Sequence, residues 1–383
     1  MLATHETFTA EDVLKKAHSV GQYYGFTPFA TLTAALPKNN APKAGYPTNL
    51  TFDALDTTAQ VVASFLKQSR DAGILPAARS PLFVWHSNIT PGRQAPRQAL
   101  VQFHAIGADR AIADAVVIRA LRALIQDIFK VDPVIRINTL GDKETRARFA
   151  RELGNFFKKR GTTLPEECLT YAKRDVFEAA HFLINRSCAE DLPTPTDHLS
   201  DASRKRFEDL LEYLEMTSTP YELSPSLISH GSAWSETCFE MRVGDRVVAW
   251  GSRYNELLRL FFKNTMHASG AVLRIDTAVE KVESPKKHPR LRFVFVHIGQ
   301  EAKHASIKLA EEFKRAHLPL EQAIGVESLS EQMYNVERLN PPYVLIMGRK
   351  EALEHSVVLR NRETQEDTLL PLAGLTECLK TVA

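Results

Sequence analysis

Hydrophobic positions in the first 280 residues recur at two spacings, one typical of helices and the other typical of strands. Apolar residues three or four positions apart predict amphipathic helices, which we place at 10–24, 57–70, 109–129 and 203–214. Short runs rich in β-branched and aromatic residues predict strands, namely LFVWH, LVQFHAIGA, VIRINTL, ETCFEMRV, DRVVAWGS and AVLRID. Long helices between well-separated strands predict an α+β domain built on an antiparallel sheet with flanking helices.

The pattern changes after ESPKKHPR, residues 283–290, whose prolines and basic residues predict a solvated linker. Strand and helix patterns then alternate, and the run PYVLIMG is typical of a strand that is buried on both faces. VVLRNRETQEDTLL predicts two strands joined by a polar turn, and LTECLKTVA predicts a final helix. The sequence therefore predicts a core domain over 1–282 and a small α/β domain with a mixed sheet over 291–383.

Composition narrows the class of protein without indicating an activity. The 383 residues are 44% hydrophobic and 25% charged, as in soluble globular proteins, and no long apolar run is present, so we expect a cytoplasmic protein without a membrane segment. A formal net charge of +2 indicates no overall field for a polyanion, so any nucleic-acid contact has to be local. Four scattered cysteines without a CxxC pair argue against a zinc site or a disulfide framework, so we expect no metal.

Four short motifs occur in an order that resembles one family. QFHAIG (102–107), DAVVI (114–118), INTLG (137–141) and GSRYN (251–255) are similar to EFHQIG, DAEVI, INSLG and GGRYD of histidyl-tRNA synthetase, a class II aminoacyl-tRNA synthetase. With the tail domain, the resemblance covers nearly the whole chain. It implies a six-stranded antiparallel catalytic sheet, a homodimer built on the first class II motif, and an anticodon-binding-like tail domain. The proline of that first motif is displaced, since Pro28 comes early and Leu32 stands at the expected place.

The resemblance also identifies charges that this chain lacks. Histidyl-tRNA synthetase joins a histidine carboxylate to the α-phosphate of ATP, and three family arginines stabilise the negative charge that gathers on the phosphorus. The aligned positions in this chain are Val84, Ser229 and Thr277. One such donor contributes about 3–4 kcal/mol, so losing two or three predicts that adenylate formation is slower by roughly 10⁴-fold or more. Arg274 is predicted to lie on the wrong face of its strand to replace them.

An enlarged loop, residues 85–101, carries Arg93 and Arg97, which are the better candidates to supply the missing charges. The same region meets the acceptor stem of tRNA in the family. The resemblance therefore makes both arginines candidate RNA contacts as well, the alternative being an ordinary exposed loop.

The amino-acid pocket that the resemblance implies is kept only in part. Asp56 and Thr58 match an acid and a hydroxyl that orient the substrate ammonium, although the same two residues also fit the N-cap of a helix. Ala233 and Trp234 replace a pair of tyrosines, and Ala105 replaces the glutamine that reads the histidine side chain. Because recognition of an imidazole depends on satisfied hydrogen bonds, specificity for histidine is predicted to be lost.

Four further residues have both a functional and a structural interpretation. Glu240 and Arg253 match the acid and the arginine of family motifs, or else they pair with each other or with neighbouring side chains. Tyr254 is predicted to pack under the floor of the site. His104 lies on an apolar strand and is predicted to be a core or pocket-wall histidine rather than a catalytic base.

The resulting hypothesis is a histidyl-tRNA synthetase-like protein without ligase activity that acts in the binding of tRNA or another structured RNA, or in regulation through a protein partner. ATP and magnesium are expected only if the family pocket still functions. One alternative is an active histidine–tRNA ligase with phosphate contacts supplied by other residues. Another is a subunit resembling the regulatory subunit of ATP phosphoribosyltransferase, although that subunit generally lacks the tail domain.

Overall fold

The computed structural model describes residues 8–34, 57–74, 81–90, 97–186, 188, 191–228, 233–263, 266–277, 292–322, 326 and 328–382. For Thr90, Arg97 and Val382 it describes the backbone alone. The predicted linker, 283–290, and the limits predicted for the two domains at 282 and 291 lie outside the described residues.

The described part of residues 8–277 forms nine α-helices, one 3₁₀ helix (Pro195–His198) and eight strands. The helices are α1 (Ala10–Tyr23), α2 (Phe29–Ala34), α3 (Thr57–Asp71), α4 (Ile112–Phe129), α5 (Lys143–Lys159), α6 (Glu166–Arg174), α7 (Val176–Asn185), α8 (Asp201–Met216) and α9 (Asn255–Phe262). The strands are β1 (Thr27–Pro28), β2 (Leu82–Thr90), β3 (Arg97–Ile106), β4 (Val134–Thr139), β5 (Glu222–Leu223), β6 (Ser235–Val243), β7 (Arg246–Arg253) and β8 (Ala268–Thr277).

The predicted elements of this part are confirmed, with shifted ends. The helix predicted at 109–129 begins at Ile112, and the helix predicted at 203–214 extends from Asp201 to Met216, where the Ser200 side chain caps its first turn. The spacing of apolar residues did not predict the three helices between β4 and α8, namely α5, α6 and α7. Helix α5, for example, is mostly polar, and only a narrow stripe of it is buried.

The large sheet has the strand order β1-β2-β3-β8-β7-β6-β4-β5. Its six central strands pair antiparallel throughout, as the resemblance implies. The total of six strands was wrong for this chain, because two-residue strands add one parallel pairing at each edge, β1 beside β2 and β5 beside β4. Pro28 belongs to the first of these short strands, where it lies opposite Trp85.

The two faces of this sheet pack against different helices. We call the back face the side that packs against α1, α4 and α8 in one hydrophobic cluster. We call the front face the side that packs against α3, α5, α7 and α9 in a second cluster. Because side chains alternate along each strand, every strand position is assigned to one face or the other.

The described residues from 292 onward form the second unit. Its elements are β9 (Phe293–His297), α10 (Gln300–Arg315), β10 (Leu320–Gln322), α11 (Leu329–Leu339), β11 (Tyr343–Met347), α12 (Arg349–Leu353), β12 (Ser356–Asn361), β13 (Asp367–Pro371) and α13 (Leu375–Val382). The sheet order is β10-β9-β11-β12-β13, in which the first three strands are parallel and the last two pairings are antiparallel. The predicted mixed sheet is confirmed, and PYVLIMG supplies its central strand.

The second unit shares a hydrophobic core with the back face of the large sheet. Phe293, Leu309 and Phe313 belong to the same buried cluster as Val20 and Tyr23 of α1. Gly25 brings the two backbones together: with φ +74° it adopts a left-handed conformation, and a Cβ there would lie 2.2 Å from the carbonyl oxygen of Gln322. The tail is therefore packed onto the core at this point rather than held only by the chain that connects them.

A buried ion pair crosses this shared core. Arg119 of α4 donates to the Glu311 carboxylate of α10, and its side chain is only 1% exposed. The Tyr24 hydroxyl donates to the same Glu311 oxygen at 3.1 Å. Near its end, α10 makes a second charged contact with α4, because Lys314 lies 2.8 Å from Asp127. Burial and the Glu311 charge raise the pKa of Tyr24 well above its usual value, so the phenol stays protonated and remains a donor.

Replacing Glu311 tests how far this contact stabilises the whole protein. Glu311→Ala leaves the Arg119 guanidinium buried without its carboxylate, and we expect the free energy of unfolding to fall by about 3 kcal/mol, the low end for a broken buried pair. The low end applies because Glu311 itself is 29% exposed, so water partly replaces it. Urea unfolding measures the change. Glu312→Ala, at the next position of the same helix, should lower stability much less, and an equal loss in the two variants would contradict this interpretation.

Candidate functional site

A row of six residues crosses the front face from one edge of the antiparallel sheet to the other. Strand registers place its members directly opposite one another, in the order His86, Gln102, Val272, Trp250, Glu240 and Arg136. The centre of the row is therefore apolar, and its fixed charges are at one end. There, Arg136 donates to Glu240 at 3.0 Å and to the Ser224 hydroxyl at 2.7 Å.

The neighbouring row holds a buried polar network around His104. Its imidazole stacks on Phe65 of α3 with ring centroids 4.0 Å apart and planes 2° from parallel. Nδ1 lies 2.9 Å from the Tyr254 hydroxyl, and Nε2 lies 3.2 Å from Oε1 of Gln102. Gly270, opposite His104 on β8, makes room for both rings, because a Cβ there would lie 2.5 Å from the His104 Nδ1 atom.

Burial lowers the pKa of His104 to about 3, with a smaller contribution from nearby His86. The ring is therefore neutral near pH 7. A neutral imidazole has one donor and one acceptor nitrogen, which suits a Gln102 oxygen on one side and a Tyr254 hydroxyl on the other. The same low pKa makes His104 a poor general base, so the predicted wall histidine agrees with this geometry.

Arg274 lies on the front face, and the prediction that it lies on the wrong face of its strand was wrong. Its guanidinium donates to the Thr57 hydroxyl at 3.3 Å and to the Thr58 hydroxyl at 3.2 Å, at the start of α3. The prediction took Thr277 as the reference for the pocket face. Strand β8 instead directs Val272 and Arg274 to the front, while Leu273 and Ile275 pack in the back cluster.

Arg253 and Tyr254 are both fully buried. Arg253 donates to Asp114 of α4 at 2.8 Å, and both side chains are 0% exposed. The same guanidinium also donates to the backbone carbonyl oxygens of Ala108 and Arg110. Arg253 therefore ties the end of β7 to the loop before α4. Glu240 and Arg253 do not pair with each other, since each has a different neighbour.

Most of this chain is similar in sequence to known proteins. The model of the anticodon binding domain family matches residues 292–381. Curated relatives include a histidine–tRNA ligase of Fervidobacterium nodosum, 27% identical over 326 residues that cover 81% of this chain and 76% of the relative. Another, from Thermosipho melanesiensis, is 26% identical over 325 residues, covering 81% of this chain and 76% of the relative.

The chain is therefore similar in sequence to histidine–tRNA ligases over about four fifths of its length. Among solved structures, that of apo histidyl-tRNA synthetase from S. aureus is similar over 98% of this chain and 99% of the other, with 18% identity and a TM-score of 0.49. The similarity to histidine–tRNA ligases depends on the matches in sequence and not on this structure.

The positions aligned with the family arginines do not all lie on one face. Val84 is fully buried on the front face. Thr277 continues the back-face alternation of Leu273 and Ile275, and Ala105, aligned with the family glutamine, also packs in the back cluster. Val84, Thr277 and Ala105 therefore cannot line a single pocket together, and only Val84 occupies the face on which α3 lies.

The other residues predicted from the resemblance are placed as follows. Thr58 begins α3 beside Arg274, and Trp234 is buried against Trp250 with ring centroids 4.5 Å apart. Asp56, Ser229 and Arg93 lie outside the described residues, and the backbone of Arg97 begins β3. The structure therefore brings Thr58, Tyr254 and Trp234 to the front-face side, while Arg253 is turned towards α4.

ATP and magnesium do not fit the described part of the front face well. Val272 and Trp250 occupy the middle of the row and offer no cation to a phosphate. The carboxylate of Glu240, which a magnesium ion would need, lies 3.0 Å from Arg136 and 3.5 Å from Arg242. Two arginines at that distance compete directly with a divalent cation. Among the described residues, no group of three or more His, Cys, Asp or Glu side chains suits a metal ion, and no helix is both long and apolar enough to cross a membrane.

Sequence reasoning missed Arg136 and its contacts. The strand VIRINTL shows an arginine in the middle of an apolar run, which is a signal that the side chain has a partner. The partner, Glu240, lies 104 positions later in the chain, and only the β4–β6 register brings the two together.

The low pKa of His104 predicts a measurable dependence of stability on pH. An unfolded chain binds a proton at this histidine below about pH 6.5, whereas the folded protein does not, so the free energy of unfolding should decrease as the pH falls from about 6.5 towards 3. The decrease attributable to one such group is about 1.4 kcal/mol per pH unit. Urea unfolding at several values between pH 7 and pH 4 measures it.

His104→Gln should reduce this slope, because glutamine does not titrate. His355→Asn is the control, since His355 is exposed at the surface of the second unit. If the wild-type protein and His104→Gln lose stability equally over this range, the buried neutral imidazole is not the cause.

Proposed function

We propose that this histidyl-tRNA synthetase-like protein does not form histidyl-adenylate and acts by binding tRNA or another structured RNA. The observation that supports the first half is the apolar centre of the front-face row. Adenylate formation needs preorganised cations around a phosphorus on which negative charge gathers. Val272 and Trp250 occupy the centre of the row, and Val84 is buried in the adjacent row.

Two arginines of the front face, Arg136 and Arg274, lie far apart. Arg136 is on β4 and Arg274 is on β8, with β6 and β7 between them. Three strand spacings separate their backbones by about 14 Å. Arg136 is held by Glu240 and Ser224, while Arg274 is held at the start of α3. These contacts indicate that Arg136 and Arg274 each have a structural role and do not bind one phosphoryl group together.

The RNA-binding half is supported by the anticodon binding domain match over 292–381. The charge of this region limits the kind of contact. Residues 292–383 contain 11 Lys and Arg against 13 Asp and Glu, a formal charge of −2, whereas residues 1–291 contain the remaining 37 and 33, a charge of +4. Overall attraction to phosphate is therefore weak in the tail, and binding should depend on a few local contacts.

The ligase question is decided by ATP–pyrophosphate exchange. We expect the purified full-length protein to exchange no more label with histidine than without it, because the described residues leave the reacting phosphorus without converging cations. The experiment is run at a protein concentration at which a rate 10⁴-fold below that of an active family member is still detected. Histidine-dependent exchange above that limit would refute the proposal.

One observation favours the alternative of an active ligase. Arg274 reaches Thr58, which the resemblance assigns to the amino-acid pocket. If histidine-dependent exchange is found, Arg274→Ala should lower it by about 10²- to 10³-fold, as expected when one preorganised donor is removed. Arg246→Ala is the control, since Arg246 is 76% exposed and pairs with Asp276 at the far end of β8.

RNA binding is measured by filter retention of tRNA and of total RNA at 50 and 200 mM salt, concentrations chosen because phosphate contacts weaken steeply between them. With about three phosphate contacts we expect the affinity to fall by at least tenfold over this range. Retention that is absent, or that does not respond to salt, would count against the proposal.

A double variant, Arg93→Ala with Arg97→Ala, tests the predicted RNA contacts. Each lost phosphate contact should reduce the salt slope by about one. Arg174→Ala is a matched control, because Arg174 is 73% exposed on α6 and pairs with Glu178. The homodimer, the cytoplasmic location and the regulatory alternative that resembles a subunit of ATP phosphoribosyltransferase stay predictions.

A further inference from the structure

Strand β13 forms an edge of the tail sheet that the described residues do not cover. Both edges of the large sheet are two-residue strands, β1 and β5. The other edge of the tail sheet, β10, has three residues and lies against α1, where the Gln322 side-chain amide donates to the Tyr23 carbonyl oxygen at 3.1 Å. Strand β13 has five residues, and all of them except Leu370 are exposed. Short or covered edges keep a sheet from pairing with another chain, so β13 is the edge at which a further strand can be added.

The hydrogen bonds of the β12–β13 hairpin show which backbone groups of β13 point outward. At one end, the Asn361 amide donates to the Glu366 carbonyl oxygen at 3.0 Å, and at the other end the Leu372 amide donates to the His355 carbonyl oxygen at 2.8 Å. Hydrogen-bonded pairs alternate with non-hydrogen-bonded pairs along an antiparallel ladder, so the even-numbered residues from 366 to 372 direct their backbone groups to β12. The odd-numbered residues of β13 therefore direct theirs to the open edge.

A second copy of β13 is complementary to this edge when the two strands are antiparallel and Leu369 lies opposite Leu369. In that register the two Leu369 residues exchange both of their backbone hydrogen bonds, and the Asp367 amide of each copy donates to the Pro371 carbonyl oxygen of the other. Proline has no amide hydrogen, and it is tolerated here because it lies at the end of the pairing and acts as an acceptor. The open edge therefore offers the backbone donors and acceptors that its own copy needs.

The side chains at this edge agree with the same register. Leu369 lies in a cross-strand row with Val358 of β12 and Ile346 of β11, and it is 60% exposed. Pairing of two copies joins two such rows and covers both leucines.

The charge pattern of β13 also permits self-pairing. Open edges in other proteins commonly carry lysine or another charge that repels a second strand. Strand β13 has one charged residue, Asp367, which is bonded to Arg360 of β12 at 2.7 and 2.6 Å. In the register above it lies opposite Pro371, so no like charges of the two strands face each other.

We propose that the open edge of β13 pairs antiparallel with β13 of a second copy of this chain, in the register centred on Leu369. Such a contact is isologous, so the same patch serves on both copies and the contact closes on itself. A pairing of two five-residue strands is smaller than a standard interface of about 1,600 Å², so the association is weak and increases with protein concentration. The contact is separate from the predicted homodimer, which is built on the first class II motif, and independent of the proposed RNA binding.

Cysteine cross-linking of the full-length chain tests both the pairing and its register. The exposed Cys188 and Cys378 are first replaced by serine, and the buried Cys168 and Cys238 are kept. In that background, Leu369→Cys should form a disulfide-linked dimer on oxidation with diamide. Residues of a hydrogen-bonded antiparallel pair have Cα atoms about 5.5 Å apart, a separation that a disulfide spans. Failure to form a linked dimer would refute self-pairing.

Leu353→Cys and Thr368→Cys, made in the same background, are the controls. Leu353 is a leucine of similar exposure, 64%, on α12, so its linking rate measures random collision. Thr368 is the neighbour of Leu369, but its counterpart lies diagonally across the pairing at about 8 Å, beyond the reach of a disulfide. We expect both controls to link at least tenfold more slowly than Leu369→Cys. A rate for Leu369→Cys no higher than that of either control would overturn the pairing in this register.

Sedimentation velocity between about 5 and 500 μM measures the association without a cross-link. Leu369→Lys should weaken the concentration-dependent association at least tenfold, because like charges then lie opposite each other. Its melting temperature should stay close to that of the wild-type protein, since the Leu369 side chain is mostly exposed. Leu353→Lys should associate like the wild-type protein, and a dimer built on the core would persist in all three proteins. Equal association of Leu369→Lys and the wild-type protein would contradict the proposal.

Discussion

Helix α3 lies across the front face of the large sheet and is held there by contacts at its start and in its middle. Arg274 bonds to the hydroxyls of Thr57 and Thr58 at its start, and Phe65 stacks on His104 further along. Together these contacts decide how much of the front face stays open to a ligand. His104 is in turn fixed by Gln102 and Tyr254, so the stack is part of the sheet and not a loose cover.

The front face is therefore divided into three regions, and their chemistry limits what the face can bind. The His104 end is closed by packing, the middle is apolar, and the charged end is occupied by the pair between Arg136 and Glu240. A face of this kind retains the shape of a class II sheet. Its fixed charges mainly hold structure together, because Arg136 pairs with Glu240 of the neighbouring strand and donates to Ser224 in the loop after β5. Side chains that pack the protein and side chains that contact a ligand need the same few strand positions. In this protein, packing side chains occupy the central ones.

The tail domain is attached to the back face in a similar way, by apolar packing that surrounds a charged pair. The hydrophobic cluster that joins α1 to β9 and α10 is continuous, and the ion pair between Arg119 and Glu311 lies within it. Arg119 depends on this pair, because its guanidinium alone would be a buried charge. The tail is thereby held in one orientation at this contact, whatever partner its other surfaces bind.

The sequence by itself determined the order and type of most elements, the mixed tail sheet and the resemblance to histidyl-tRNA synthetase, because periodicity, strand composition and local motifs are properties of contiguous residues. It did not determine which face a strand residue occupies. Val84 and Ala105 were aligned to one pocket but lie on opposite faces, and Arg274 reaches Thr58 across 216 positions of chain. A shift of one residue in register exchanges the two faces of a strand, so this assignment depends on pairings between distant segments. The pair between Arg119 and Glu311 likewise exists only in the tertiary structure, since its two residues come from distant parts of the chain.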